Sequence, residues 1–184
     1  LKHHTRFIIP IARELEKQGA TVVYLVGQAE RSQEVTAIEQ GLNYQHIFDY
    51  LTAEDEKEIS TNYLRIRDAF RSAMLNTIEY DAQVPTVMDK TFYATAQEYT
   101  GFKNYLKQKK PDLCLALHEV NRWGKLFAFH AKKSSIPFIT LQEGLFSITE
   151  YNFFSIGHIQ NSTFGLLWGQ GSKSFLSNYE TPKE

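Results

Sequence analysis

Residues 111–144 read PDLCLALHEVNRWGKLFAFHAKKSSIPFITLQEG, and this stretch constrains the fold more than any other. An apolar run, Leu113 to Leu117, stops at a polar cluster of His118, Glu119, Asn121 and Arg122. A helix-forming run, Trp123 to Lys133, comes next. Ile136-Pro137 then opens a second apolar run that stops at Gln142, Glu143 and Gly144. Strand, helix, strand is the succession of a βαβ unit, which needs a parallel sheet. In parallel α/β sheets, ligands collect at the carboxyl ends of strands. The same stretch therefore predicts a fold and a rim where chemistry can sit.

The rest of the chain repeats the alternation. Ile8, Ile11, Ala12 and Leu15 recur at helical spacing and predict a helix over Thr5 to Lys17, loosened by Pro10 and stopped by Gly19. Thr21 to Val26 is β-branched and apolar on both faces, as a buried parallel strand is. Arg31 to Gln40 reads as a helix closed by Gly41, and Tyr44 to Phe48 as a weaker strand. Thr52-Ala-Glu-Asp55 resembles a capping box with Asp in the Glu position, and a long helix should follow it. Val84-Pro85 should break that helix. A further one is expected over Lys90 to Gln108, with Phe92, Ala96, Tyr99 and Leu106 on one side. Thr163 to Trp168 reads as a buried strand, Gly169 to Gly171 as a turn, and Ser172 as the cap of a short last helix.

Alternating strands and helices predict an α/β fold: a parallel sheet with helices on both faces and a helical insertion around 52–110, all within one domain over 1–184. Right-handed crossovers place the strand ends on one rim. In a doubly wound sheet a strand normally precedes the first helix, so a strand ahead of Thr5 is expected.

Composition narrows the functions. With 184 residues and 42% hydrophobic content the chain can bury a substantial core. Net charge is −1, which gives no electrostatic case for nucleic acid. No apolar run reaches the roughly 18 residues of a membrane span, and the first residues do not read as a signal peptide. The single cysteine, Cys114, fits a reducing cytosol. The sequon Asn161-Ser162-Thr163 reads as chance in that setting.

Glu119 and Glu143 end two strands expected to be adjacent, so they are candidates for an acid–base pair; each could instead cap a turn. Arg122, at a helix start, could bind a phosphate or carboxylate with its fork of donors, or pair with Glu119. His118, Asn121, Gln142 and Gly144 complete the candidate rim as substrate-binding positions. His130 falls on the core side of its helix. No Cys/His spacing suits zinc, and no Walker or dinucleotide fingerprint is present, so no metal and no resident cofactor is expected.

Three segments resemble GT-B type nucleotide-sugar enzymes. The first runs from His4 through Leu15, Gly19 and Val22 to Leu25, and resembles the histidine, helix and "eL…G…V.yl" pattern of GT-B glycosyltransferases. The second, Pro111-Asp112 to Glu119 and then Ile136-Pro137 to Ser147, is similar to the "PD…GD" and "IP…HvEAGLRS" segments of the UDP-N-acetylglucosamine 2-epimerases. The third, Leu166-Leu167-Trp168-Gly169 with Ser172, looks like the "vWG…S" turn of capsule-polysaccharide and CDP-glycerol transferases, whose preceding strand ends in "QHG". The sequence departs from these patterns at Glu119, where the epimerases carry Asp. It departs again at Glu143, which takes the histidine place of "QHG", and at Phe146, which replaces an arginine.

The resemblance implies a Rossmann-like domain forming the acceptor-side half of a two-domain transferase in surface polysaccharide or glycolipid synthesis. The nucleotide-sugar donor would be held mainly by a C-terminal GT-B domain of the same chain, and this half alone would be inactive. Glu143 or Glu119 would deprotonate the acceptor hydroxyl, with His4 as the alternative base. Arg122 and Gln142 would position acceptor or phosphate. An epimerase-like isomerase or hydrolase, and a non-catalytic α/β binding module, are the alternatives. The implied place is the cytoplasm, including the inner face of the membrane through peripheral contact.

Overall fold

The computed structural model describes residues 2–27, 31–74, 83–119, 121–142 and 161–178. In chain order its elements are α1 (Lys2–Lys17), β1 (Tyr24–Val26), α2 (Arg31–Glu39), β2 (Tyr44–His46), a 3-10 turn (Ile47–Tyr50), α3 (Ala53–Met74), α4 (Gln83–Lys109), β3 (Cys114–Ala116), α5 (Arg122–Lys133), β4 (Phe138–Leu141), β5 (Phe164–Leu166) and α6 (Gln170–Asn178). All strand pairing among them is parallel. The strands form two small sheets, β1-β2 and β3-β4-β5. The molecule is a mixed α/β protein. No described helix is long and apolar enough to cross a membrane.

Local sequence explains most boundaries. Gly19 and Gly41 end α1 and α2 with positive φ, 90° and 59°, a region that glycine enters without strain. At the start of α3 the expected capping box forms in both directions. The Asp55 N–H donates to Thr52 Oγ1 at 3.0 Å, and the Thr52 N–H donates to Asp55 Oδ2 at 2.9 Å. The Thr52 N–H, and after it the Thr52 hydroxyl, which also donates to Oδ2 at 2.7 Å, hold the Asp55 carboxyl below its ordinary range.

Four expectations need correction. Val84-Pro85 does not precede the second long helix but lies in its first turn, where proline's missing N–H has no intrahelical partner to lose. On α4, Phe92 and Tyr99 are exposed, and the buried side is Glu98, Phe102, Tyr105 and Leu106, because the helix is rotated toward the 3-10 turn and α5. The strand 164–166 is not buried: Phe164 and Leu166 are 58% and 53% exposed. They lie beside Ile139 and Leu141 of β4, on the face away from Phe138, and among the described residues β5 pairs only with β4. Ser172 lies inside α6, which begins two residues earlier at Gln170.

The helical insertion is an antiparallel pair. Glu56 of α3 accepts hydrogen bonds from Tyr93 (3.1 Å) and Gln97 (2.9 Å) of α4. Further along, Asn104 Nδ2 donates to Asp55 (3.0 Å) and to the Tyr50 carbonyl (2.9 Å). Beyond α3, α4 packs on the 3-10 turn and on α5. Its Phe102 stacks on Phe127 at 4.9 Å and meets Trp123 edge-on at 4.8 Å, and Tyr105 meets Tyr50 edge-on at 5.0 Å. Cys114 and Phe138 join this core from β3 and β4, and Leu25 packs against it from β1.

Three glycines mark approaches too close for a side chain. A Cβ on Gly101 would lie 2.8 Å from the Ile47 carbonyl oxygen, one on Gly124 would lie 2.0 Å from that of His118, and one on Gly27 would lie 2.1 Å from the Trp123 ring. In an open helix Gly→Ala gains about 1 kcal/mol. At Gly101 and Gly124 the sign is expected to reverse, with a loss of about 1–3 kcal/mol in urea unfolding from overpacking. Gly171→Ala, in α6 with open space around it, is the control and is expected to be neutral or mildly stabilising.

Candidate functional site

The rim residues sit where β3, β4 and β5 stop. Asn121 caps α5: its Oδ1 accepts the Gly124 N–H at 2.7 Å, from an extended backbone at φ −83° and ψ 165°. The Gly124 backbone lies against the His118 carbonyl, so the β3–α5 turn is closely folded. His118 is half-buried within it.

Glu119 is fully buried, and its carboxylate is met by three donors. The Asn161 N–H donates to Oε2 at 2.7 Å, the Ser162 N–H donates to Oε1 at 2.6 Å, and the Ser162 hydroxyl donates to the same Oε1. This carboxylate clamps the two residues that lead toward β5. Backbone N–H groups aimed at a carboxylate make hydrogen bonds of the stronger, charge-assisted kind.

Gln142 is also buried and fastens the other end of β5. Its N–H donates to the Leu166 carbonyl at 2.9 Å, and its side-chain Oε1 accepts the Trp168 N–H at 2.8 Å. The side chain thereby continues the ladder one step past β4. Gly169 follows with φ 134°, which turns the chain away.

Arg122 pairs with Glu98 rather than Glu119. Its Nε and Nη2 reach the two Glu98 carboxylate oxygens at 2.6 and 2.8 Å. The Glu98 side chain is 2% exposed and that of Arg122 is 35% exposed. The fork of donors is spent on a buried carboxylate of α4, joining α4 to the first turn of α5. Sequence reasoning missed Glu98. The only signal available was its place between the apolar residues of a long helix.

His130 is buried, as its helical position predicts. Its ring meets Tyr99 edge-on at 4.3 Å, and its Nε2 has no hydrogen-bond partner among the described residues. Burial pushes the imidazole down to about 4, and the charges of Lys133 and Lys103 act in the same direction. Cys114 is buried in the core, and that burial pushes its thiol up to about 12.

The structure thus brings His118, Glu119, Asn121, Arg122 and Gln142 to neighbouring strand ends. Glu143 and Gly144 lie outside the described residues. His4 falls in the first turns of α1, and its side chain lies outside the described set. Among the described residues no group of three or more His, Cys, Asp or Glu is gathered for a metal ion.

No protein-family model, no curated protein and no solved structure matches this chain.

Two outcomes check this geometry. Glu119→Gln turns an NH2 group toward a backbone donor and is expected to cost about 1–3 kcal/mol of stability. Arg122→Met strands the Glu98 carboxylate and is expected to cost at least as much, with Arg122→Lys intermediate because it keeps the charge and loses the fork. Urea unfolding of the variants measures both.

The pH dependence is separate. The unfolded chain protonates His130 near 6.5 and the folded chain only near 4, so between those values the unfolded state binds more protons. Stability is expected to fall as pH drops from about 6.5 to about 4, by on the order of 1–3 kcal/mol from this group. His130→Phe should flatten the slope in that window. A slope unchanged by the substitution would show that another group sets it.

Proposed function

We propose that the chain is the acceptor-side, Rossmann-like domain of a nucleotide-sugar-dependent glycosyltransferase acting in surface polysaccharide or glycolipid synthesis. The observation that supports this reading is position. Each segment that carries the resemblance ends at, or leads into, the carboxyl end of a parallel strand. Residues 4–25 form α1 and enter β1, residues 111–119 contain β3 and its polar end, residues 136–142 contain β4 and its polar end, and residues 166–169 close β5. Ligand sites of parallel α/β sheets form on such a rim.

In this reading Glu143 deprotonates the acceptor hydroxyl, with His4 as the alternative base. His118 and Gly144 line the acceptor side. Glu119, buried under three donors, contributes by holding residues 161–162, and Gln142 and Asn121 contribute by fixing the ends of β5 and α5. Arg122 is already paired to Glu98, so it acts on substrate only through the third of its side chain that stays exposed. The donor nucleotide is held by a C-terminal domain of the same polypeptide, and the acceptor is a sugar or glycolipid met in the cytoplasm or at the inner face of the membrane.

The buried Glu119 speaks against an epimerase-like pair of carboxylates, since a general acid or base must reach its proton. A non-catalytic binding module draws support from a different feature. Phe164, Leu166 and Trp168 form an exposed apolar row along β5, of the kind that a partner surface covers.

Turnover separates the readings. The polypeptide carrying this domain with its C-terminal neighbour, offered a panel of nucleotide-sugars with glycolipid acceptors, is expected to transfer sugar. Glu143→Gln is expected to reduce kcat by about 100-fold or more, the usual scale of a lost general base. Full activity in that variant would move the base to His4. Absence of turnover and of binding across the panel would leave the binding module.

A further inference from the structure

The described neighbours of α4 take up three of its sides. Tyr93 and Gln97 bond to Glu56 of α3, and Asn104 bonds to Asp55. Gly101 lies against Ile47 of the 3-10 turn. Glu98 and Phe102 meet Arg122, Trp123 and Phe127 of α5. The fourth side carries Phe92, Ala96, Tyr99 and Lys103, spaced by four, three and four residues, which is one line along a helix. Phe92 is 54% exposed and Tyr99 38%. Ala96 between them is half-buried, and Lys103 is exposed. Phe129 of α5 widens the line: it is 42% exposed, and its ring lies 6.2 Å from that of Tyr99. Apolar residues exposed singly are ordinary, but three aromatic side chains in one row are the mark of a surface that another molecule covers.

The row matches its own reverse. Ala96 stands near its middle, with Phe92 four residues before it and Tyr99 three after. Turned end over end about an axis beside Ala96, α4 of a second copy brings its Tyr99 level with Phe92, and its Phe92 level with Tyr99. An alanine at the crossing adds no bulk, so the helix axes can approach to about 8 Å, the close end of helix packing. The charges follow the same symmetry. By spacing, Asp89 belongs to the same line, three residues before Phe92. The antiparallel register puts that position within one residue of Lys103 of the second copy. Along one helix the two positions stand about 21 Å apart, too far for contact within a chain. A parallel register would instead set Lys103 against Lys103. Sizes and charges that fit their own reverse favour a second copy over an unlike partner, in a contact that closes on itself.

We infer that the outer side of α4, with Phe129 of α5, is a dimer surface, on which a second copy of this chain packs antiparallel about a two-fold axis beside Ala96. From Phe92 to Lys103 the stripe is about 16 Å long. An interface built on it is at the small end of specific contacts, so the dimer forms reversibly and depends on concentration. The inference rests on the surface of α4 and is independent of the transferase reading.

Sedimentation equilibrium of the intact protein over a wide range of concentration tests it, with circular dichroism as the check on folding. The mass is expected to rise from monomer to dimer. Ala96→Glu keeps a good helix former in α4 and sets two carboxylates at the axis, and is expected to weaken association about tenfold or more. Lys103→Asp places like charges opposite each other and is expected to weaken it to a similar extent. Adding Asp89→Lys to Lys103→Asp exchanges both charges and is expected to restore association. If Ala96→Glu disturbs the fold, the charge exchange still decides. Three results would overturn the inference. A monomer at every concentration would leave the stripe to a partner of another kind. A dimer indifferent to Ala96→Glu in a folded variant would put the interface elsewhere. A double variant no tighter than Lys103→Asp alone would exclude the antiparallel register.

Discussion

The packing of α4 is the constraint on which the rest depends. Sheets of two and three short strands bury too little to hold together alone. Both lean on α4. Phe102, fully buried, touches Trp123 and Phe127 of α5, and Tyr105 meets Tyr50 beyond β2. Cys114 and Phe138 fill the space beneath. Burying one such aromatic side chain is worth about 1.5–3 kcal/mol, and its ring contacts add to that. Gly101, one residue before Phe102, lets the helix approach the Ile47 carbonyl closely enough for those rings to meet.

Two buried carboxylates set the polar side of the design, and the protein treats them differently. Glu98 is neutralised by a guanidinium from the next element, so helix position and charge are coupled. Glu119 receives backbone N–H groups and a hydroxyl, and fixes the conformation of the segment that donates them. A buried ion without such donors costs several kcal/mol, which makes each arrangement obligatory once the carboxylate is inside. Both lie at or beside the rim. Residue types that suggest chemistry in the sequence thus serve first to hold the strand ends in place.

Much of the fold was legible in the sequence. Period-3.6 and continuous apolar runs located α1, β1, α5 and β4, and Thr52 and Asp55 located the start of α3, because these signals are local. What was not legible depends on distant partners. The face that α4 buries is chosen by the 3-10 turn and α5. Among the described residues β5 pairs only with β4, and the exposure of Phe164 and Leu166 at that position is not stated by their own residue types. At the site, the polar clusters after β3 and β4 marked the correct strand ends. The roles of Arg122 and Glu119 depended on Glu98 and on residues 161–162, between 24 and 43 positions away, and no spacing rule reaches that far.

Buried polar groups at the rim clamp the strand ends, and Glu119 is the clamp on the approach to β5. Amide hydrogen exchange of Asn161 and Ser162 in the unaltered protein tests it most directly. Both amides are expected to exchange as slowly as those within β4, because each is held by a buried carboxylate. Exchange at the rate of an open loop would contradict it.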